Sequence, residues 1–60
     1  MGKLEKLIIS TLEDSNEGFT LAEIAEKVGQ PEKKVFKALR KLFSKGVIDS
    51  ENRRYRLPNV

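Results

Sequence analysis

Acid–base catalysis in this sequence would have to be built from carboxylates, because the chain contains no His and no Cys. That composition excludes thiolate and imidazole chemistry, zinc sites of the Cys/His kind and any disulfide. Glu13, Asp14 and Glu17 crowd a turn-like stretch, while Glu23 and Glu26 fall on one helical segment. Neither set has an electrophilic group near it in sequence. No catalytic residue, metal or cofactor is expected.

The cations are better placed. From Met1 to Gly29 three lysines face six carboxylates, a net of −3, whereas from Gln30 to Val60 nine cations face three carboxylates, a net of +6. An acidic front half and a basic back half point to a polyanion as partner, or to a bipolar solvated surface. Which of the two applies depends on where the elements put the charges.

Sixty residues suffice for one small domain, 1–60, whose apolar residues are committed to a single core. Leu4, Leu7, Ile8 and Leu12 fall on one stripe at helical spacing, which predicts a first helix over 3–14. Residues 15–18 break it, and Phe19 forms a short extended link that packs inward. Thr20-Leu21-Ala22-Glu23 has the form of a reciprocal cap opening a second helix over 21–28, with Leu21, Ile24, Ala25 and Val28 inward. Gly29 stops that helix, and Pro31 suits the first position of a third over 31–45. Val35, Ala38, Leu39, Leu42 and Phe43 supply its apolar face, and Gly46 ends it. Val47 and Ile48 then lead a hairpin with strands over 47–50 and 53–57. The predicted class is α+β, mostly α.

Helices two and three, joined through Gly29-Gln30-Pro31, meet the requirements of a helix-turn-helix: small Ala25 at the crossing, a glycine at the reversal, and Val35 and Ala38 facing Ile24 and Val28. The sequence resembles the winged helix-turn-helix superfamily of DNA-binding domains. The matching residues are Glu23-Ile24-Ala25, Val28-Gly29, Val35, Leu39, Leu42, Gly46-Val47-Ile48 and Arg54-Tyr55-Arg56-Leu57. The spacing from Gly29-Gln30-Pro31 through Lys45-Gly46 is also similar to that of winged helices that bind Z-form nucleic acid. Phe36 and Arg40, however, stand where that family carries Asn and Tyr, and Tyr55 stands where it carries Trp. The resemblance therefore implies ordinary duplex DNA.

Opposite the apolar face of the third helix lie Lys33, Lys37, Arg40 and Ser44, flanked by Lys34 and Lys41. This row is the expected major-groove surface; no Asn or Gln lies in its middle, Arg40 is its only guanidinium, and its lysines point to phosphate contacts. Gln30, near the helix start, can reach a phosphate or a base, and Arg53, Arg54 and Arg56 bring a basic wing to the backbone or the minor groove. Phe36 is expected beneath the wing as a satellite of the core; its alternative is an exposed anchor for a protein partner. Tyr55 is expected in the core with its hydroxyl wet.

The expected function is thus non-catalytic DNA binding, in transcription regulation or as an accessory domain of a DNA-processing protein. The alternative is a winged-helix domain that docks an acidic protein. The expected partner is double-stranded DNA, with the domain monomeric by default, no membrane, and a cytoplasmic or, in a eukaryote, nuclear setting. A module this small binds weakly, which fits tandem copies or a larger parent chain.

Overall fold

The computed structural model describes residues 2–15 and 17–58, leaving Asn16 of the predicted 15–18 break outside the described residues. The elements run α1 (Lys3–Leu12), β1 (Phe19–Thr20), α2 (Leu21–Val28), α3 (Glu32–Ser44), β2 (Asp49–Glu51) and β3 (Arg54–Arg56). Each helix packs on the other two, and a three-stranded antiparallel sheet in the order β1-β3-β2 closes one side. This is a winged helix: three helices, a short strand and a hairpin.

α1 ends two residues before its predicted limit. Its last turn holds no basic residue. Glu13 and Asp14 would instead add negative charge to the negative end of the helix dipole, so the chain leaves the helix there. Amides of Asp14 and Ser15 close the end on the carbonyls of Thr11 and Leu12, at 3.2 and 3.4 Å.

α2 matches its predicted range. The Glu23 amide donates to Thr20 Oγ1 at 3.3 Å, and the Thr20 amide donates to Glu23 Oε1 at 2.9 Å, so two otherwise orphaned amides are satisfied. At the other end Gly29 turns left-handed at φ 69°, and the Gln30 amide reaches back to the Ala25 carbonyl at 3.1 Å.

α3 is one residue shorter than predicted at each end. Pro31 is extended (φ −60°, ψ 145°) and stands just outside the helix, where its carbonyl accepts from the amides of both Lys34 and Val35 at 3.1 Å. Its ring fixes φ at the point where the chain turns into the helix.

β2 covers residues 49–51 rather than 47–50. The Val47 amide is taken by the Leu42 carbonyl at 3.0 Å in the closing turn of α3, and Ile48 goes into the core instead of a ladder. The hairpin turn is two residues long, with Asn52 and Arg53 both at positive φ (53° and 65°), which shortens the return strand to 54–56. The sequence predicts only an extended link at Phe19. Phe19 pairs with Tyr55 and Thr20 with Arg54, so the link is the third strand.

The core comprises Ile8 and Leu12 from α1, Ile24 and Ala25 from α2, Val35, Ala38, Leu39 and Leu42 from α3, and Ile48. Full burial of each large aliphatic side chain contributes roughly 1.5–3 kcal/mol before conformational entropy is counted. Three residues assigned inward from their spacing lie outside it: Leu7 is 42% exposed, Phe36 43% and Phe43 55%. Among the described residues the three helices leave the margins of the α1 and α3 stripes uncovered. Tyr55, as expected, is half-buried against the core.

Candidate nucleic-acid interface

α3 owes its exposed face to the placement of its apolar residues. Val35, Ala38, Leu39 and Leu42 span a narrow arc on the core, and at about 100° per residue the opposite arc holds Lys33, Lys37, Arg40 and Ser44. All four are exposed, as are the flanking Lys34 and Lys41. Among the described residues, ion pairs form only between Lys45 and Glu5 (3.8 Å) and between Arg56 and Glu51 (3.6 Å). The five cations of the α3 face therefore have no carboxylate answering them among those residues.

The two margins of this face differ. Toward α1, Lys34, Lys37 and Lys41 border a shallow groove whose far wall carries Leu4 and Glu5. The Glu5 carboxylate, mostly buried, reaches Lys45 and not these lysines. Toward the hairpin lies an open groove of about 330 Å³, lined by Leu39, Arg40, Phe43, Ser44, Ser50 and Tyr55. The Arg40 guanidinium sits 6.0 Å from the centre of the Phe36 ring, within cation–π range.

The hairpin does not present its three arginines alike. Arg53 lies in the turn and is exposed. Arg54 turns its Nη1 toward the Gly18 carbonyl at 3.4 Å, and Arg56 is half-buried and paired with Glu51. Gln30 is exposed beside Lys34, in a depression shared with Lys3 and Leu7 on the α1 side. The structure therefore gathers Lys33, Lys34, Lys37, Arg40, Lys41 and Ser44 on one surface. Gln30 stands at one edge of it, and the wing arginines form a separate and partly neutralised element.

Sequence reasoning missed Ser50, Tyr55 and Phe43 as walls of the groove. Ser50 is set opposite Tyr55 only by the hairpin register, which follows from a two-residue turn that Asn-Arg does not advertise. Phe43 was recoverable from its angle on the helix, at the margin of the apolar arc rather than its middle.

Electrostatics of the α2 cap bear on the rear of the site. The Glu23 carboxyl is held below its ordinary value near 4.5, first by the hydrogen bond from the Thr20 amide and further by the Arg54 and Lys27 charges. It is a structural carboxylate, engaged by the cap.

An unmasked cationic helix beside an open groove can take a run of phosphodiesters and the base edges between them. Comparison with curated proteins and with solved structures returns no match. A family described as "Sugar-specific transcriptional regulator TrmB" does match, over residues 4–59. With that match covering the three helices and the hairpin, the chain belongs to the TrmB family, as a winged-helix, DNA-binding domain of transcriptional regulators.

Proposed function

We propose that α3 enters the major groove of duplex DNA, with the hairpin tracking the adjacent backbone. The observation that supports this most is the row Lys33, Lys37, Arg40 and Ser44, exposed on one face and unanswered by carboxylates among the described residues. Lys34 and Lys41 extend the positive surface toward α1. A sugar–phosphate strand leaving the major groove runs between α3 and the hairpin, where Ser44, Ser50 and the Tyr55 hydroxyl offer donors to its oxygens. Arg53 meets the backbone from the tip of the wing.

Neutralising four to six phosphates in this way gives a slope of about −4 to −5 for log K against log salt concentration. The test is a fluorescence-anisotropy titration of a duplex at several salt concentrations, with Lys37→Glu and Arg40→Glu alongside. Each reversal is expected to weaken binding and flatten the slope by about one unit while leaving the thermal transition unchanged. A salt-independent affinity, or variants that bind like the parent, would remove α3 from the interface.

A further inference from the structure

Phe36 has no role in the fold that its position explains. It is 43% exposed, is not among the partly buried residues packed on the core, and occupies the fifth position of α3. Phe is also a mediocre helix former, so neither a place in the core nor propensity favours it there. What it has is a place beside the cationic row. It lies about 70° from the centre of the exposed arc, on the hairpin side, in the half of the helix that reaches base edges in helix-turn-helix proteins. One turn further on, Arg40 sets its guanidinium 6.0 Å from the ring centre. An apolar edge and a planar cation thus point outward together from adjacent turns.

We propose that Phe36 reads thymine through its C5 methyl group, next to a guanine read by Arg40. The major-groove edge of thymine is the only one of the four natural base edges to offer a methyl, and guanine offers the paired O6 and N7 acceptors that suit a guanidinium. The ring is rigid, so little freedom is lost when a methyl packs on it. Arg40, attracted to the ring face, is held near the orientation a base contact requires. The exposed aromatic therefore acts as a specificity-determining residue on a surface otherwise suited to phosphates. This inference rests on the reading that α3 occupies the major groove.

The experiment compares two degenerate duplex libraries, one synthesised with thymine and one with uracil throughout, which differ only by that methyl. Competition against a labelled duplex is measured for the parent chain, Phe36→Ala and Arg40→Ala. Sequestering one methyl is worth about a fourfold preference, so the parent should favour the thymine library by about that factor. Phe36→Ala should bind both libraries equally with an unchanged salt slope, because it removes no phosphate contact. Arg40→Ala should bind more weakly overall and keep the thymine preference. Circular dichroism checks that each variant retains the parental helix content, which is expected because neither side chain is in the core. Salt-dependent binding without a thymine preference overturns the role of Phe36 and leaves DNA binding standing. A preference that survives Phe36→Ala also overturns it, by tracing the effect to duplex shape. No binding to either library overturns the underlying reading, and the inference with it.

Discussion

Arg56 and Glu51 face each other across the hairpin, guanidinium to carboxylate, at 3.6 Å. One of the three wing cations therefore has its charge already answered within the hairpin. Removing that carboxylate charge by Glu51→Gln should tighten duplex binding about two- to threefold at low salt and steepen the salt dependence. Stability should change little, because the two side chains are 39% and 61% exposed and ion pairs near the surface contribute about 0–1 kcal/mol. An unchanged dissociation constant in anisotropy titrations would place Arg56 away from the backbone.

Arg53 occupies a left-handed turn position at φ 65°, where a side chain is strained and glycine is not. Arg53→Gly should therefore raise stability by about 0.5–1 kcal/mol in chemical denaturation. The same variant should bind duplex DNA more weakly, since it deletes the one wing arginine with no partner among the described residues. Stability and affinity moving in the same direction would contradict this assignment.

Gly18 and Gly29 are both left-handed, at φ 81° and 69°, but their surroundings differ. A methyl group at Gly29 meets nothing within 4 Å; one at Gly18 collides with the Tyr55 carbonyl and comes within 3.0 Å of Arg56 Cβ. Gly29→Ala should cost about 1–2 kcal/mol from backbone strain alone. Gly18→Ala adds displacement of β3 and should cost clearly more, read as a larger fall in melting temperature. Equal losses would mean that β3 shifts freely.

The cap carboxylate of Glu23 makes stability pH-dependent in a definite direction. Its folded value is depressed below 4.5, so its contribution is fully present above that pH and is lost as the pH falls through the depressed value. Melting temperatures measured from neutral pH into the acid range should fall less steeply for Glu23→Gln than for the parent below about pH 4.5. Parallel curves would deny the carboxylate its role at the cap.

Leu39 and Phe43 are four residues apart on α3 and differ sharply in burial, 1% against 55% exposed. Leu39→Ala should cost about 2–5 kcal/mol through a core cavity. Phe43→Ala, the larger truncation, should stay within about 0.5 kcal/mol, as befits an exposed site. Denaturant unfolding of the two variants measures both.

Much of this arrangement was legible because its causes are local. The Thr20–Glu23 cap, the Gly29 reversal and the inward run from Val35 to Leu42 each follow from neighbours within a turn or two. The cationic row on α3 was readable for the same reason, as the complement of that run. The misses have non-local causes. Phe19-Thr20 is too short to show strand alternation, and its partners lie at Arg54 and Tyr55, far along the chain. Asp49-Ser50-Glu51 lacks the β-branched residues that mark strands, whereas neighbouring Val47 and Ile48 have them and lie outside the described ladders. Leu7, Phe36 and Phe43 fit an apolar period, but period alone does not say how wide a stripe the neighbouring helices cover.

The sheet leaves β2 with one side unpaired, and the residues there bear on how copies of the domain meet. Asp49 turns its carboxylate back to accept from the Ser50 amide at 2.8 Å, so a backbone donor that could recruit a foreign strand is already occupied. Glu51 adds a second negative charge to the same three-residue strand. A second molecule aligning its own β2 alongside would bring like charges together over a very short ladder. Pairing along the β2 edge is thus discouraged by the least sheet-like segment of the domain.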